Sequence, residues 1–184
     1  MEALSDNALM LKVKENDLDK LSLLYERYKG QLFGFFFNMN RDRDVSEDLV
    51  QNVFMRVIKY KHSFRADGEF RTWLFHVARN VNYDHHKKVK KMNAESIDPW
   101  EEQLAEDENT SQDKEYELQL LEEAMDMLDY EKKELLVLSK LKGVKYKEVG
   151  DILGCSEGAV KTKVFRALKD LRKEYELLAP GING

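Results

Sequence analysis

Apolar side chains return every three or four residues through most of this chain, and no proline interrupts that rhythm where it is strongest. From about Asp17 to Asn38, Leu18, Leu21, Tyr25, Tyr28, Leu32 and Phe35 mark one face, widened by Phe33, Phe36 and Phe37. A second helix is expected from near Asp44, where Asp44 and Glu47 have capping-box spacing, with Leu49, Val50, Val53, Phe54 and Val57 inward. A third begins around Phe70 and carries Trp73, Leu74, Val77, Ala78 and Val81, after a loop from His62 to Glu69 that turns at Gly68. Pro99 and Pro180 both lie outside these stretches, and few segments alternate as a half-buried strand would. The expectation is an all-α fold whose first three or four helices form one bundle ending near Lys91.

Charge divides the remainder of the chain. Between Met92 and Glu117 ten acidic residues face only Lys114, a net of −9 with little apolar periodicity, which reads as an extended linker. Helical spacing resumes at Leu118, Leu121, Met125 and Leu128. Asp129 stands as the N-cap of a helix carrying Leu135, Leu136, Leu138 and Leu141, which ends at Gly143. Two shorter helices are expected at about Tyr146–Leu153 and Ser156–Tyr175. The organisation is then a domain over 1–91, an acidic flexible linker over 92–117 and a second helical domain over 118–178.

The overall charge of −5 argues against a nucleic-acid partner until its distribution is considered. Val53–Lys91 holds ten basic residues against three acidic ones, a net of +7. Cys155–Lys173 holds six against two, a net of +4. The acidic linker hides both basic regions in the total.

The last two helices have the spacing of a helix-turn-helix. Gly150 supplies the small residue where the helices cross, and Gly154 supplies the positive φ of the turn. Ser156 caps the second helix and leaves its positive end free for a phosphate. Val160, Val164, Ala167, Leu168 and Leu171 face inward on that helix, while Thr162, Phe165, Arg166 and Lys169 lie opposite, flanked by Lys161 and Lys163. Phe165 suits a thymine methyl and Arg166 a guanine edge in a major groove, with Lys161, Lys163 and Lys169 on phosphates. Opposite the core stripe of the third helix, Thr72, His76, Arg79, Tyr83, His86 and Lys90 form one polar, basic and aromatic face. Phe64 and Arg65 lie just upstream, and basic residues interleaved with aromatics suit unpaired DNA. A solvated helix face remains an alternative for this segment.

Three stretches together resemble the extracytoplasmic-function sigma factors of the bacterial sigma-70 family: Ser46–Phe54, Phe70–Asn80 and Gly158–Ala167. The resemblance covers roughly Asp17–Lys91 and Leu118–Lys173. It implies a factor that directs core RNA polymerase to promoters and starts transcription. It places polymerase docking, on the β′ clamp, at Glu47, Asp48, Gln51 and Phe54, with the β flap as a further contact. It assigns recognition and melting of the −10 element to Phe64, Arg65, Asp67, His76, Arg79, Asn80 and Tyr83, with a flipped base held near Phe64 and Asn80. Duplex readout of the −35 element falls to Ser156, Lys161, Thr162, Lys163, Phe165, Arg166 and Lys169. It also implies an anti-sigma partner and a linker threaded through polymerase channels that otherwise hold RNA, where acidity imitates a nucleic-acid backbone. Two departures stand out: Lys145 replaces the usual Ser or Thr cap of the first motif helix, and Asp129 stands where many members have Pro.

Other function classes find little support. His62, His76, His85 and His86 are not joined by a cysteine or carboxylate cluster of zinc-site spacing, and no glycine-rich phosphate loop is present. No catalytic residues, metal or cofactor are therefore expected. A single cysteine, Cys155, excludes an internal disulfide and suits a reducing cytoplasm. Met1–Asp6 carries neither a basic start nor an apolar signal core, so a cytoplasmic protein without membrane insertion is expected. A helix-turn-helix regulator with a ligand-sensing or dimerising bundle explains Tyr146–Lys173 equally well. It leaves the Phe64–Lys91 face and the Glu47–Phe54 stretch unexplained.

Overall fold

The computed structural model describes residues 4–95 and 112–179, and among these residues there are helices and no strand. The N-terminal unit has four helices: α1 (Asp6–Lys14), α2 (Asp19–Asn40), α3 (Arg43–Tyr60) and α4 (Phe70–Glu95). Tyr28 and Phe35, placed inward by the periodicity, lie in its core, edge-on to Phe70 at 5.5 Å and to Phe75 at 6.0 Å, whereas Leu18 and Phe37 of the same expected face are exposed.

Helix α1 is absent from the sequence expectation, because nine residues are too short to establish a periodic face. It is nevertheless central to the bundle. Leu9, Met10 and Val13 are fully buried, and Tyr28 donates to Asp6 at 2.5 Å. The Asn7 amide accepts from the Phe70 backbone N–H at 2.7 Å and donates to the Gly68 carbonyl at 2.9 Å. One side chain thereby caps α4 and fixes the loop before it.

The start of α3 also needs correction. Asp42, not Asp44, is the N-cap, accepting from the Val45 N–H at 2.9 Å, and Arg41 before it takes φ +54° to end α2. Ser46 is buried and donates to the Asp42 carbonyl at 2.5 Å.

The C-terminal unit comprises α5 (Gln112–Met127), α6 (Tyr130–Leu136), α7 (Tyr146–Leu153) and α8 (Glu157–Leu178). Asp129 caps α6 as expected, accepting from the Lys132 N–H at 2.9 Å. The helix does not run on regularly to Gly143. It widens to a π turn over Val137–Leu141, closed by Lys142 N–H on the Val137 carbonyl at 2.9 Å. Both ends of the expected linker are helical, since α4 reaches Glu95 and α5 begins at Gln112, while residues 96–111 of that segment lie outside the described residues.

The two units pack together, α4 against α7 and α2 against the π turn, a relation on which the sequence is silent. Buried apolar residues of both units form one continuous cluster, and polar contacts cross the seam beside it. Arg71 donates to the Lys142 carbonyl at 2.8 Å, Lys133 donates to the Met39 carbonyl at 3.0 Å, and Arg41 pairs with Glu122 at 3.1 Å.

Candidate nucleic-acid and polymerase interfaces

The turn between α7 and α8 is built as the glycines require. A Cβ on Gly150 would lie 2.5 Å from the Cys155 carbonyl oxygen, so the close crossing admits only glycine, and Gly154 adopts φ +69°. Glu148 supplies what Lys145 lacks as a cap: its carboxylate accepts the Lys145 backbone N–H at 3.1 Å. Ser156 caps α8 by accepting from the Ala159 N–H at 3.1 Å.

On α8, Val160, Val164 and Ala167 are buried, whereas Leu168, expected inward, is 40% exposed and lines an open groove with Leu118 and Leu121 of α5. The outward face is as expected. Lys161, Thr162, Lys163, Arg166 and Lys169 are exposed, and Phe165 at 72% exposure exceeds every other large apolar side chain among the described residues. Lys161 pairs with Glu157 at 3.3 Å, an exposed contact that a phosphate displaces at little cost.

The α4 face divides into free and engaged residues. His76 and Asn80 are exposed and lie 3.4 Å apart, and Arg65 and Asp67 are exposed in the preceding loop. Together with α7 they border a cleft of about 960 Å³, with Lys147, Glu148 and Asp151 on its far wall. Phe64 is a correction. It is 1% exposed, packed edge-on against Phe70 at 5.9 Å and Trp73 at 5.6 Å, so its ring supports the loop from within rather than facing solvent. Arg79 and Tyr83 are engaged by the C-terminal unit. Arg79 Nε donates to Glu134 at 3.1 Å, and the Tyr83 ring lies edge-on to Tyr130 at 6.4 Å.

On α3, Glu47, Asp48 and Gln51 are exposed, with Glu47 paired to Arg43 at 3.3 Å. Phe54 is the second correction: at 6% exposure it is a core ring, edge-on to Tyr25 at 5.0 Å. The apolar part of this surface is Met55, 68% exposed, and Ile58. Asp48, Gln51, Met55 and Ile58 step by three, four and three, and so form one solvent-facing stripe opposite the buried Leu49, Val53 and Val57. The same periodicity that located the core contained this signal.

Among the described residues no group of three His, Cys, Asp or Glu side chains is placed to hold a metal, and no helix is long and apolar enough to cross a membrane.

With this geometry in place, comparison with known proteins defines the class. Residues 24–92 match the family model Sigma-70 region 2, and residues 118–171 match Sigma-70, region 4. The chain is 31% identical over 169 residues to the ECF RNA polymerase sigma factor SigX of Bacillus subtilis, covering 87% of this chain and 86% of that protein. It is 26% identical over 188 residues to the ECF RNA polymerase sigma-E factor of Escherichia coli K12, covering 96% and 97%. Among solved structures it is similar to the sigma factor RpoE of Bartonella quintana in complex with the anti-sigma factor NepR, at TM-score 0.69 and 26% identity over 88% of this chain and 98% of that one. The fold is also that of CnrH in complex with the cytosolic domain of CnrY, at TM-score 0.70 and 21% identity over 91% and 95%. The chain belongs to the ECF sigma factors of RNA polymerase. Its function is to direct core polymerase to specific promoters and initiate transcription.

Proposed function

We propose a division of labour between the two units. The loop residues Arg65 and Asp67 with His76, Arg79, Asn80 and Tyr83 of α4 take the −10 element as an opened strand. The α8 residues Lys161, Thr162, Lys163, Phe165, Arg166 and Lys169, with the Ser156 cap, take the −35 element as duplex. Glu47, Asp48 and Gln51, extended by Met55 and Ile58, dock on the β′ clamp, and the C-terminal unit meets the β flap. Phe54 and Phe64 support these surfaces from the core.

The observation that carries this reading is the outward face of α8. A helix held at a glycine-only crossing exposes a phenylalanine between five cationic or hydroxyl side chains, a composition that costs solubility without return unless a groove receives it. The chain itself supplies binding and specificity, and bond formation belongs to the polymerase. The acidic side chains of the segment between α4 and α5 stand in for RNA along the path to which this reading assigns it in polymerase. The RpoE and CnrH structures are complexes with an anti-sigma factor and with the cytosolic domain of CnrY, which supports an anti-sigma partner for this chain and a cytoplasmic site of action beside polymerase. Transcription in vitro with purified core polymerase and a genomic promoter library tests the reading. Start sites should share two elements, one at −35 and one at −10. Failure of the chain to associate with core polymerase, or starts with no shared upstream element, refutes it.

A further inference from the structure

The loop that carries Arg65 and Asp67 is held largely from outside itself. Residues 65–69 are exposed, and the turn within them is closed by a long bond, Gly68 N–H to the Arg65 carbonyl at 3.4 Å. Helix α1 grips this loop at both ends. Lys14 donates to the Phe64 carbonyl at 2.8 Å, while Asn7 donates to the Gly68 carbonyl at 2.9 Å and accepts from the Phe70 N–H at 2.7 Å. Asn7 and Lys14 are seven residues apart in the chain, which puts them on one face of α1 with about 10 Å between them along its axis. Leu9, Met10 and Val13 are fully buried, so the core fixes where these two arms stand. Just beyond α1, Asn16 at φ +74° accepts from Lys61, in the short helical turn that leads into the loop. All of these residues precede or lie across from the arms' targets, and α1 itself comes before residues 24–92, the span matched by the region 2 model.

We infer that α1 is a brace for promoter reading: Asn7 and Lys14 are positioning residues that set the shape of the 64–69 loop, and through it the accuracy with which the −10 strand is chosen. This rests on the assignment of Arg65 and Asp67 to that strand for what is read, whereas the brace itself does not. Reading a base edge needs donors and acceptors held within about half an ångström of the productive geometry. An exposed loop closed by one long turn bond samples several shapes, and anchoring it at both ends removes most of them before DNA arrives. The three grips fall on backbone atoms, the Phe64 and Gly68 carbonyls and the Phe70 N–H, so they act on the path of the chain whatever side chains the loop presents. Arg65 and Asp67 then set which bases are preferred, and α1 sets how sharply. Lys14 is part-buried at its contact, where a charged donor on a carbonyl is stronger than in open water. The two amide atoms of Asn7 have separable tasks. Its oxygen caps α4, which bears on stability, and its nitrogen holds the loop, which bears on reading.

The test uses the full chain, free and assembled with core polymerase. Asn7→Asp keeps an acceptor for the Phe70 N–H and loses the donor to Gly68, and Lys14→Met keeps the stem and loses the ammonium. Loop shape is read on the free chain as the rate of trypsin cleavage after Arg65, followed by mass spectrometry. Reading is measured on the assembled enzyme by competition between matched and singly mismatched −10 strands from a promoter it uses, with −35 duplex competition as the internal reference. Each variant should melt near the parent, be cleaved about fivefold faster after Arg65, and lose about fivefold to tenfold in −10 discrimination with −35 discrimination unchanged. Arg65→Ala and Asp67→Ala run alongside. If these two lower −10 discrimination while Asn7→Asp and Lys14→Met leave it at the parental ratio, the inference is overturned. Equal loss at −10 and −35 also overturns it, because α1 then serves the fold alone. Should Asn7→Asp melt early, Lys14→Met decides by the same ratio, since it leaves the α4 cap intact. If none of the four variants lowers −10 discrimination, or the chain does not assemble with polymerase, the failure is that of the proposed function; the cleavage rate then decides the brace, and a parental rate overturns it.

Discussion

At the scale of single residues, Phe64 and Phe165 show how far a sequence can be read. Both are phenylalanines beside an arginine in a basic region, and the sequence points both toward DNA. Phe165 does face outward, because α8 holds a continuous stripe of Val160, Val164 and Ala167 that fixes which side is exposed. Phe64 lies in a loop, where no period sets its direction, and Trp73 and Phe70 draw it inward. Phe64→Ala should therefore act as a core truncation, lowering stability by ~3–5 kcal/mol in thermal or denaturant unfolding. A variant with unchanged stability and a selective defect in promoter opening would return Phe64 to the strand interface. Arg166→Ala is the opposite case, a change at an exposed side chain. It should leave unfolding unaltered and relax discrimination among −35 variants by about 1–3 kcal/mol, measured by competition binding. Equal discrimination in the variant and the parent would remove the guanine contact.

At the scale of elements, the long helices were legible, as were the caps Asp129 and Ser156, but other ends were not. The α2, α3, α4 and α8 cores follow from periodicity alone, and the α7–α8 turn follows from two glycines whose spacing has one steric solution. Two of those ends take an unforeseen cap: Asn7 of α1 serves α4, and Glu148 serves the start of its own helix in place of Lys145. Such contacts join residues 63 apart in the first case, which no local pattern records. The outward stripe of α3 was half legible. Its polar members were identified and its apolar members were not, because Met55 and Ile58 look like core residues until their angular position is considered. Asp48→Ala and Met55→Ala should each weaken association with core polymerase, by on the order of 1–2 kcal/mol, in a binding titration. Since both side chains are solvent-facing, melting temperatures should stay unchanged. A loss of binding accompanied by unfolding would instead make the stripe structural.

At the scale of the whole molecule, Glu134 gives folding stability a pH dependence of fixed sign. Burial raises its pKa from the ordinary value of 4.5, and the nearby Glu131 adds to this, against the opposing pull of Arg79. Tyr130 and Lys132 of its own helix, with Lys163 and Arg166 of α8, border the same cavity. A carboxyl whose pKa is raised by folding makes the folded form bind the proton more tightly. Its favourable contribution is complete below the ordinary carboxylate value and is lost as pH rises through the raised one. The Glu134 contribution to folding stability should thus grow as pH falls from neutrality toward 4.5, read by denaturant unfolding across that range. His85 works the other way for the fold, because its burial lowers its pKa and protonation there is unfavourable. Glu134→Gln separates the two, removing the titrating carboxyl while keeping an oxygen for Arg79. The stabilisation gained on acidification should disappear in that variant while any contribution from His85 persists. A Gln variant whose stability still rises by the same amount as pH falls would place the proton on another group, and would leave Glu134 as a partner of Arg79 without a part in the acid response.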